Sequence, residues 1–361
     1  MKEVIEDSLI WCEMEEEITS LSRFSVIPEA QDDPEAPACR SATHPHRYTL
    51  LTVFHHGLFD GQTTINISSI FIETLNLILD GKIVDDSVMK GVFLPGGKFP
   101  QIEKTLLSNN DPNTIPEKSL SNQPVILKGF PPPGGHSPTT IFIFNTVESD
   151  AMAIIKAACK REGVTFHSVV MAAHQTATME LLQSSGVQDD TATFCVNMAT
   201  DLRRYMAENT LPIHGLHISR SKMFIETNNN TQKSGFWEFA RNIEIQKRKV
   251  LNSQDLLHQI VATEKGHTGE DSLPETFDYG ITALREIETA PNRFVQVTGA
   301  TLYVFVHNTL FMSFLTYLIG RQKYVFTFSC ASNLMAKKTA KMLLDKTLHI
   351  LQKRASPNER L

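Results

Sequence analysis

The sequence predicts a two-domain α/β protein with mixed sheets and flanking helices, on three observations. Its 361 residues correspond to two units at roughly 150 residues per domain. Strand-like and helix-like patterns alternate along the chain instead of falling into separate blocks. A long stretch rich in proline and glycine, from Lys82 to Pro138, parts an early strand–loop–helix unit from a later strand–helix–helix–strand series. This sets the predicted domains at residues 1–135 and 136–361, because such composition suits a crossover or linker.

Taken in order, Met1 to about Val26 shows no clear period, and Ile27 to His46, with Asp32-Asp33-Pro34-Glu35, reads as a surface loop. Arg47 to Phe54 reads as a strand buried on both faces, since it is apolar in nearly every position. Beyond Gly61, the positions Ile65, Ile70, Leu77 and Ile78 share a helical face, and Gly81 after Asp80 supplies a left-handed stop. Thr139 to Val147 reads as a strand. Ser149 or Asp150 then caps a helix ending near Gly163, and Thr165 caps a second that stops near Gly186. Ala192 to Met198 is a strand leading into Asp201-Leu202-Arg203-Arg204. Trp237 to Leu251 is a helix with Lys247-Arg248-Lys249 on a solvated face. Phe311 to Ile319 and Tyr324 to Ser329, around Gly320-Arg321-Gln322-Lys323, form a hairpin. After Ser332 as a cap, Met335, Thr339, Met342, Leu348 and Leu351 face a sheet.

Composition excludes several classes of function. With 41% hydrophobic and 20% charged residues the chain is globular. A net charge of -6 supplies no positive field for a phosphate backbone, so nucleic acid is not a predicted partner. Five cysteines (Cys12, Cys39, Cys159, Cys195, Cys330), odd in number and without a C-x-x-C pair, signal neither a disulfide framework nor a zinc ribbon. The acidic start Met1-Lys2-Glu3-Val4-Ile5-Glu6-Asp7 does not read as a secretory signal, so a cytoplasmic location is expected and the sequons at Asn66 and Asn229 carry no weight. The uncharged run Thr298 to Gly320 is long enough to span a bilayer, but Thr301, Tyr303, Phe305 and His307 alternate with apolar neighbours, which is a strand pattern. No membrane span is predicted.

Chemistry concentrates in His55-His56-Gly57-Leu58-Phe59-Asp60-Gly61, between the strand and the helix. Strand ends deliver side chains to ligand crevices. Neighbouring strand residues project to opposite sides, which disfavours a two-histidine metal site and leaves one histidine for the pocket, as a base or nucleophile, and the other as a packed residue. Asp60 either orients the imidazole or pairs elsewhere and holds the loop. Arg203, at the end of a later strand, is the candidate cation, because its fork suits a carboxylate. His44 and His46, and His214 and His217, read as exposed pairs without a metal-binding pattern; His167 and His174 read as helix packing. There is no G-x-S-x-G elbow, no phosphate-binding G-x-x-x-x-G-K-[ST] loop and no G-x-G-x-x-G fingerprint.

The H-H-x-x-x-D-G unit on a strand–loop–helix, followed by Asp201-Leu202-Arg203 after a later strand, resembles the chloramphenicol acetyltransferase-like superfamily of acyl-CoA-dependent acyltransferases and peptide-synthetase condensation domains. Within it, the chain looks most like the alcohol acetyltransferase and polyketide-ester transferase branch. Weaker likeness runs through Gly163 to Ala173 and Phe236-Trp237-Glu238-Phe239-Ala240-Arg241, so that the resemblance covers most of the chain from Tyr48 onward. It implies two acyltransferase subdomains, at 1–135 and 136–361, closing a tunnel between them. It also implies that His56 is the catalytic base and that Asp60 is structural through a salt bridge to Arg203. By the same likeness Gly61 leaves room at the tunnel and His55 is a structural residue of that site. The implied reaction moves an acyl group, other than an aminoacyl group, from acyl-CoA or a carrier-protein thioester to a small alcohol or amine, with no tightly bound cofactor and no metal. Two departures stand out. A D-F-G-W-G sequence is absent, which argues against the plant branch, and the family places a longer segment ahead of its histidine motif than the 54 residues found here. The first domain is therefore expected to be incomplete, and the alternative reading is a catalytically inactive, truncated binding or scaffold protein that retains the fold.

Overall fold

The computed structural model describes residues 22–28, 46–55, 58–94, 124–134, 139–206, 211–228, 235–252, 277–282, 294–295, 297, 317–320 and 323–356. They form an α/β fold of mixed sheets with flanking helices, in two compact units. One unit comprises Met1–Phe99, Leu202–Ile218 and Ile287–Thr298; the other comprises Pro100–Asp201, Ser219–Glu286 and Gly299–Leu361.

The first unit begins with β1 (Ser22–Pro28) and β2 (Tyr48–Phe54), antiparallel from Ser22 opposite Phe54 to Pro28 opposite Tyr48. Helix α1 (Gly61–Leu79) follows, and the two-residue strands β3 (Val92–Phe93) and β6 (Ile213–His214) pair in parallel. Aromatic rings link these pieces. Phe24 of β1 stacks on Phe71 of α1 at 5.3 Å between centroids and meets Phe54 edge-on, Phe54 packs on Phe59, and Phe59 reaches Phe93. Such contacts suit aromatic quadrupoles and cover apolar area. Strand β2 is half-buried, not buried on both faces as its composition suggests, because its pairing among the described residues is with β1 alone. Strand β1 was not foreseen: Ser22-Arg23-Phe24-Ser25 carries little β signal, and the pairing is conferred by its neighbour. The end of α1 falls where Gly81, at φ +71°, can adopt the left-handed turn, although Ile78 is exposed and does not share the packed face.

The second unit holds β4 (Thr140–Glu148), α2 (Ser149–Glu162), α3 (Phe166–Ser184), β5 (Thr191–Asp201), β7 (Ile218–Asn228), α4 (Phe236–Asn252), β8 (Tyr279–Ile281), β9 (Tyr317–Gly320), β10 (Lys323–Ala331) and α5 (Lys337–Ala355). Most of β7 falls here, its first residue Ile218 being assigned to the first unit. One antiparallel sheet runs β4-β10-β9, and a second runs β7-β5-β8 with β5 and β8 parallel. The main core is here: α3 is buried on almost every side from Ser168 to Leu182, which is the mark of a central helix, and α5 and α4 pack against it. The hairpin around residue 320 is present as β9 and β10. Residues 298–316 of the uncharged run lie outside the described residues, and no described helix is long and apolar enough to cross a membrane.

Several local expectations change. Helix α2 is capped by the extended backbone of Glu148, without a side-chain bond, so neither Ser149 nor Asp150 caps it. The hydroxyl of Ser332 accepts the Thr139 amide at 2.9 Å and does not cap α5, which starts from Ala336. Met342 is partly exposed, while Met335, Thr339, Leu348 and Leu351 are buried. Lys247 is not part of a solvated face: it is buried against Glu244, as described below.

Candidate functional site

Strand β2 runs out at Phe54, and the carbonyl of His55 then accepts the amides of Leu58 and Phe59 at 3.1 and 3.3 Å, closing a tight turn. His55 is exposed. His56 and Gly57 lie outside the described residues. The turn ends at Asp60, which is extended (φ -90°, ψ 174°) and caps α1 by accepting the Thr63 amide on Oδ1 at 2.9 Å; Gly61 is the first residue of the helix. A carboxylate at this place satisfies an orphan amide and favours the positive end of the helix.

Arg203, in the short 3-10 turn Leu202–Tyr205 that follows β5, meets Asp60 through two parallel bonds, Nη1 to Oδ2 at 2.8 Å and Nη2 to Oδ1 at 3.1 Å. Both residues belong to the first unit. The backbone amide of His217 supplies the fourth donor, to Oδ2 at 2.8 Å. An ionised carboxylate has about four acceptor positions, and here Thr63, His217 and the two guanidinium nitrogens fill them. Burial alone raises the pKa of Asp60, which is 1% exposed, but the bonds from Arg203, Thr63 and His217 and the arginine charge outweigh it and hold the group below the usual carboxylate value.

The far side of the guanidinium is equally occupied. Nε donates to the Ile213 carbonyl at 2.8 Å, and Nη2 donates to Thr63 Oγ1 at 2.8 Å and to the Gly215 carbonyl at 3.2 Å. Thr63 Oγ1 in turn donates to the Gly215 carbonyl at 2.8 Å and accepts the Gly215 amide at 3.0 Å. Gly215 sits at φ +130°, and a Cβ there would lie 2.3 Å from the Leu94 carbonyl oxygen. Sequence reasoning missed Thr63, Gly215 and the His217 amide. The signal available for them was small: a threonine three residues after a capping aspartate, and a glycine inside His214-Gly215-Leu216-His217.

His214 and His217, expected to be exposed, are buried at 8% and 1% exposure. The reason is pairing of the segment itself: the Leu94 amide donates to the His214 carbonyl, the Leu202 amide donates to the His217 carbonyl, and His217 Nε2 lies 3.1 Å from the His214 carbonyl oxygen. The His214 ring lies against Gly91, where a Cβ would overlap Nε2. Burial lowers the pKa of His214; the Lys90 backbone and Asp60 oppose that shift and Arg203 reinforces it. Among the described residues no group of three or more His, Cys, Asp or Glu is placed to hold a metal ion.

The second unit carries a separate buried charge cluster. Glu244 Oε2 accepts Lys247 Nζ at 2.7 Å, Ser168 Oγ at 2.7 Å and Thr165 Oγ1 at 2.5 Å, and Oε1 accepts Arg248 Nε at 2.8 Å. Lys247 also donates to Thr165 and Ser168. Burial pushes Glu244 up, but these four donors hold it far below the usual carboxylate range. Nearby, burial and then the Lys247 charge push His167 down to about 4, against the opposing pull of Glu244. The cluster fastens the start of α3 to α4.

The sequence matches no protein-family profile and no curated protein. Solved structures share the fold. The trichothecene 15-O-acetyltransferase TRI3 from Fusarium sporotrichioides superposes with a TM-score of 0.60 at 12% identity, over 96% of this chain and 74% of that one. The epimerization domain from the third module of tyrocidine synthetase B gives 0.57 at 10% identity, over 86% and 69%. The PapA2 acyl transferase gives 0.54 at 14% identity, over 86% and 66%. The chain thus has the fold of acyltransferases and of the condensation and epimerization domains of peptide and polyketide synthetases, and spans about two thirds to three quarters of the length of these three structures.

Proposed function

We propose that the chain is an acyltransferase that moves an acyl group from a thioester, acyl-CoA or a carrier-protein thioester, to an alcohol or amine, with His56 as the general base. The observation that carries this reading is the clamped turn: H-H-x-x-x-D-G leads from a strand end into a helix whose capping Asp60 is tied to Arg203. That turn lies in a fold shared with acyltransferases and condensation domains. The alcohol acetyltransferase branch is the finer form of the proposal, in keeping with the sequence resemblance and with a neighbour named as a 15-O-acetyltransferase.

In this reaction neutral His56 takes the proton from the acceptor hydroxyl or amine as its oxygen or nitrogen attacks the thioester carbonyl. The tetrahedral intermediate expels the thiolate, which recovers the proton from the imidazolium, so no covalent enzyme intermediate is needed. An imidazole titrating near its ordinary value of about 6.5 is close to the working pH such a base requires. Asp60 acts as a holder and not as a proton carrier, since its acceptor positions are full and its pKa is lowered. His55, Gly61 and Arg203 belong to the same frame, shaping the turn without touching the reacting atoms.

The test is thiol release from acetyl-CoA and longer acyl-CoAs with a panel of alcohols and amines, for wild type and His56→Ala, from about pH 5.5 to about pH 8.5. The reading stands if wild type releases thiol with an acid limb near the imidazole pKa and the variant does not. Equal silence of two folded proteins removes it in favour of a ligand-binding role.

A further inference from the structure

We propose that Thr63 is a positioning residue for the acyl transfer, fixing the turn from His55 to Asp60 by locking the Gly215 peptide unit to the start of α1; this rests on the reading above. A threonine hydroxyl has one proton to donate and two lone pairs to accept with. In this chain the Thr63 hydroxyl uses all three: it donates to the Gly215 carbonyl at 2.8 Å, and accepts the Gly215 amide at 3.0 Å and Arg203 Nη2 at 2.8 Å. Its side chain is fully buried, so it has neither the exposure nor the spare valence to meet a substrate.

Position follows from what those bonds hold. The Gly215 carbonyl also receives the Asp60 amide at 3.4 Å, so the last peptide of the turn rests on the same group that Thr63 fixes. The other end of the turn is set by β2, through the His55 carbonyl. Gly215 is hemmed in on its side-chain face, where a Cβ would lie 2.3 Å from the Leu94 carbonyl oxygen and 2.8 Å from His217 Nε2. Arg203 has further acceptors besides Thr63, among them Asp60, Ile213 and the Gly215 carbonyl, whereas the Thr63 amide and hydroxyl touch both the carboxylate and the glycine. Thr63 thus ties the helix cap to the 213–217 segment, beside the bonds of Asp60 to Gly215 and His217. A displacement of order 1 Å at a site of this kind is enough to cost up to about a hundredfold in rate.

The experiment compares wild type, Thr63→Val and Thr63→Ser in the full chain, by thiol release from the acyl-CoA panel and by hydrogen–deuterium exchange of the peptide covering residues 55–64. Valine keeps the shape and removes the hydroxyl; serine restores it. Thr63→Val is expected to lower kcat about tenfold or more with KM for acyl-CoA within about twofold, and to speed exchange in the turn, while Thr63→Ser returns both to near wild type. If Thr63→Val does not fold, Thr63→Ala is read in its place. The inference is overturned if the valine variant keeps kcat within about twofold, or if serine is as impaired as valine, since either result makes the hydroxyl irrelevant. Should wild type release no thiol at all, the acyltransfer reading falls, and so does a positioning role in it; unchanged exchange in the valine variant would then discard the clamp as well.

Discussion

Asp60 accepts both terminal guanidinium nitrogens of Arg203, at 2.8 and 3.1 Å, with the carboxylate buried and the arginine side chain only 14% exposed. Removing one partner of a buried pair leaves an uncompensated charge, so Arg203→Met is expected to cost about 3–5 kcal/mol in urea unfolding. Asp60→Asn keeps a good capping side chain and removes the charge; combined with Arg203→Met it should cost less than the two single changes summed. Because the Asp60 pKa is lowered from 3.8, the pair's contribution is complete above that pH and is lost as pH falls through the still lower folded value. Strictly additive single and double variants would show that the two side chains are not coupled.

Two glycines with positive φ separate backbone strain from collision. Gly163, at φ +68°, has open space around the position of a Cβ, whereas at Gly215, φ +130°, a Cβ would come 2.3 Å from the Leu94 carbonyl oxygen. Gly163→Ala is expected to cost about 1–2 kcal/mol, the price of a left-handed L-residue. Gly215→Ala must also displace the Leu94 carbonyl and the His217 ring, and its urea midpoint should fall well below that of Gly163→Ala. Equal midpoints would mean that the 213–217 segment yields without cost.

What the sequence revealed follows the range of the interaction. Signals that act within one turn of chain were readable: Gly81 and Gly163 end their helices at positive φ, and Thr165 caps α3. Arg203 was readable as a candidate because a strand end and a fork-shaped cation are both local features. The Thr63–Gly215 bonds join residues 152 apart in the chain, and no pattern around either residue announces them. Lys247 was misjudged for the same reason: in Lys247-Arg248-Lys249 only the fold reveals which basic residue turns inward to Glu244. His214 and His217 read as polar surface because their burial comes from backbone pairing with β3 and Leu202, not from their own side chains.

Lys247 therefore makes a second electrostatic prediction, in the second unit. Glu244 loses its buried cation in Lys247→Met but keeps the Thr165 and Ser168 hydroxyls and the more exposed Arg248. The cost in urea unfolding is expected at about 3 kcal/mol, the low end for breaking a buried pair. Lys249→Met, an exposed residue two positions further along the same helix, should change stability by less than about 0.5 kcal/mol, as exposed charges do. A smaller effect for Lys247 than for Lys249 would contradict the buried arrangement.

His174 sets an acid limit on the second unit. Its ring is buried edge-on to Tyr279 at 4.5 Å, with Nδ1 3.4 Å from Thr347 Oγ1, and burial alone lowers its pKa from 6.5 to about 4. Between those values the unfolded chain takes up a proton that the folded chain refuses, so stability is complete above pH 6.5 and falls as pH drops toward 4. The shift corresponds to about 3 kcal/mol. Asp278 works in the opposite sense: burial raises it to about 6, against bonds from the Val125 and Cys195 amides and the Lys128 charge, so its contribution is lost as pH rises through that value. The contrast between wild type and His174→Phe isolates the histidine. Phenylalanine keeps an aromatic ring against Tyr279 and Phe328, and Thr347 keeps its bond to the Leu343 carbonyl, so stability at pH 7 should stay within about 1.5 kcal/mol of wild type. Urea unfolding across the acid range should then show wild type losing about 3 kcal/mol more than the variant between pH 6.5 and 4. Parallel curves would mean that His174 is not buried in its neutral form.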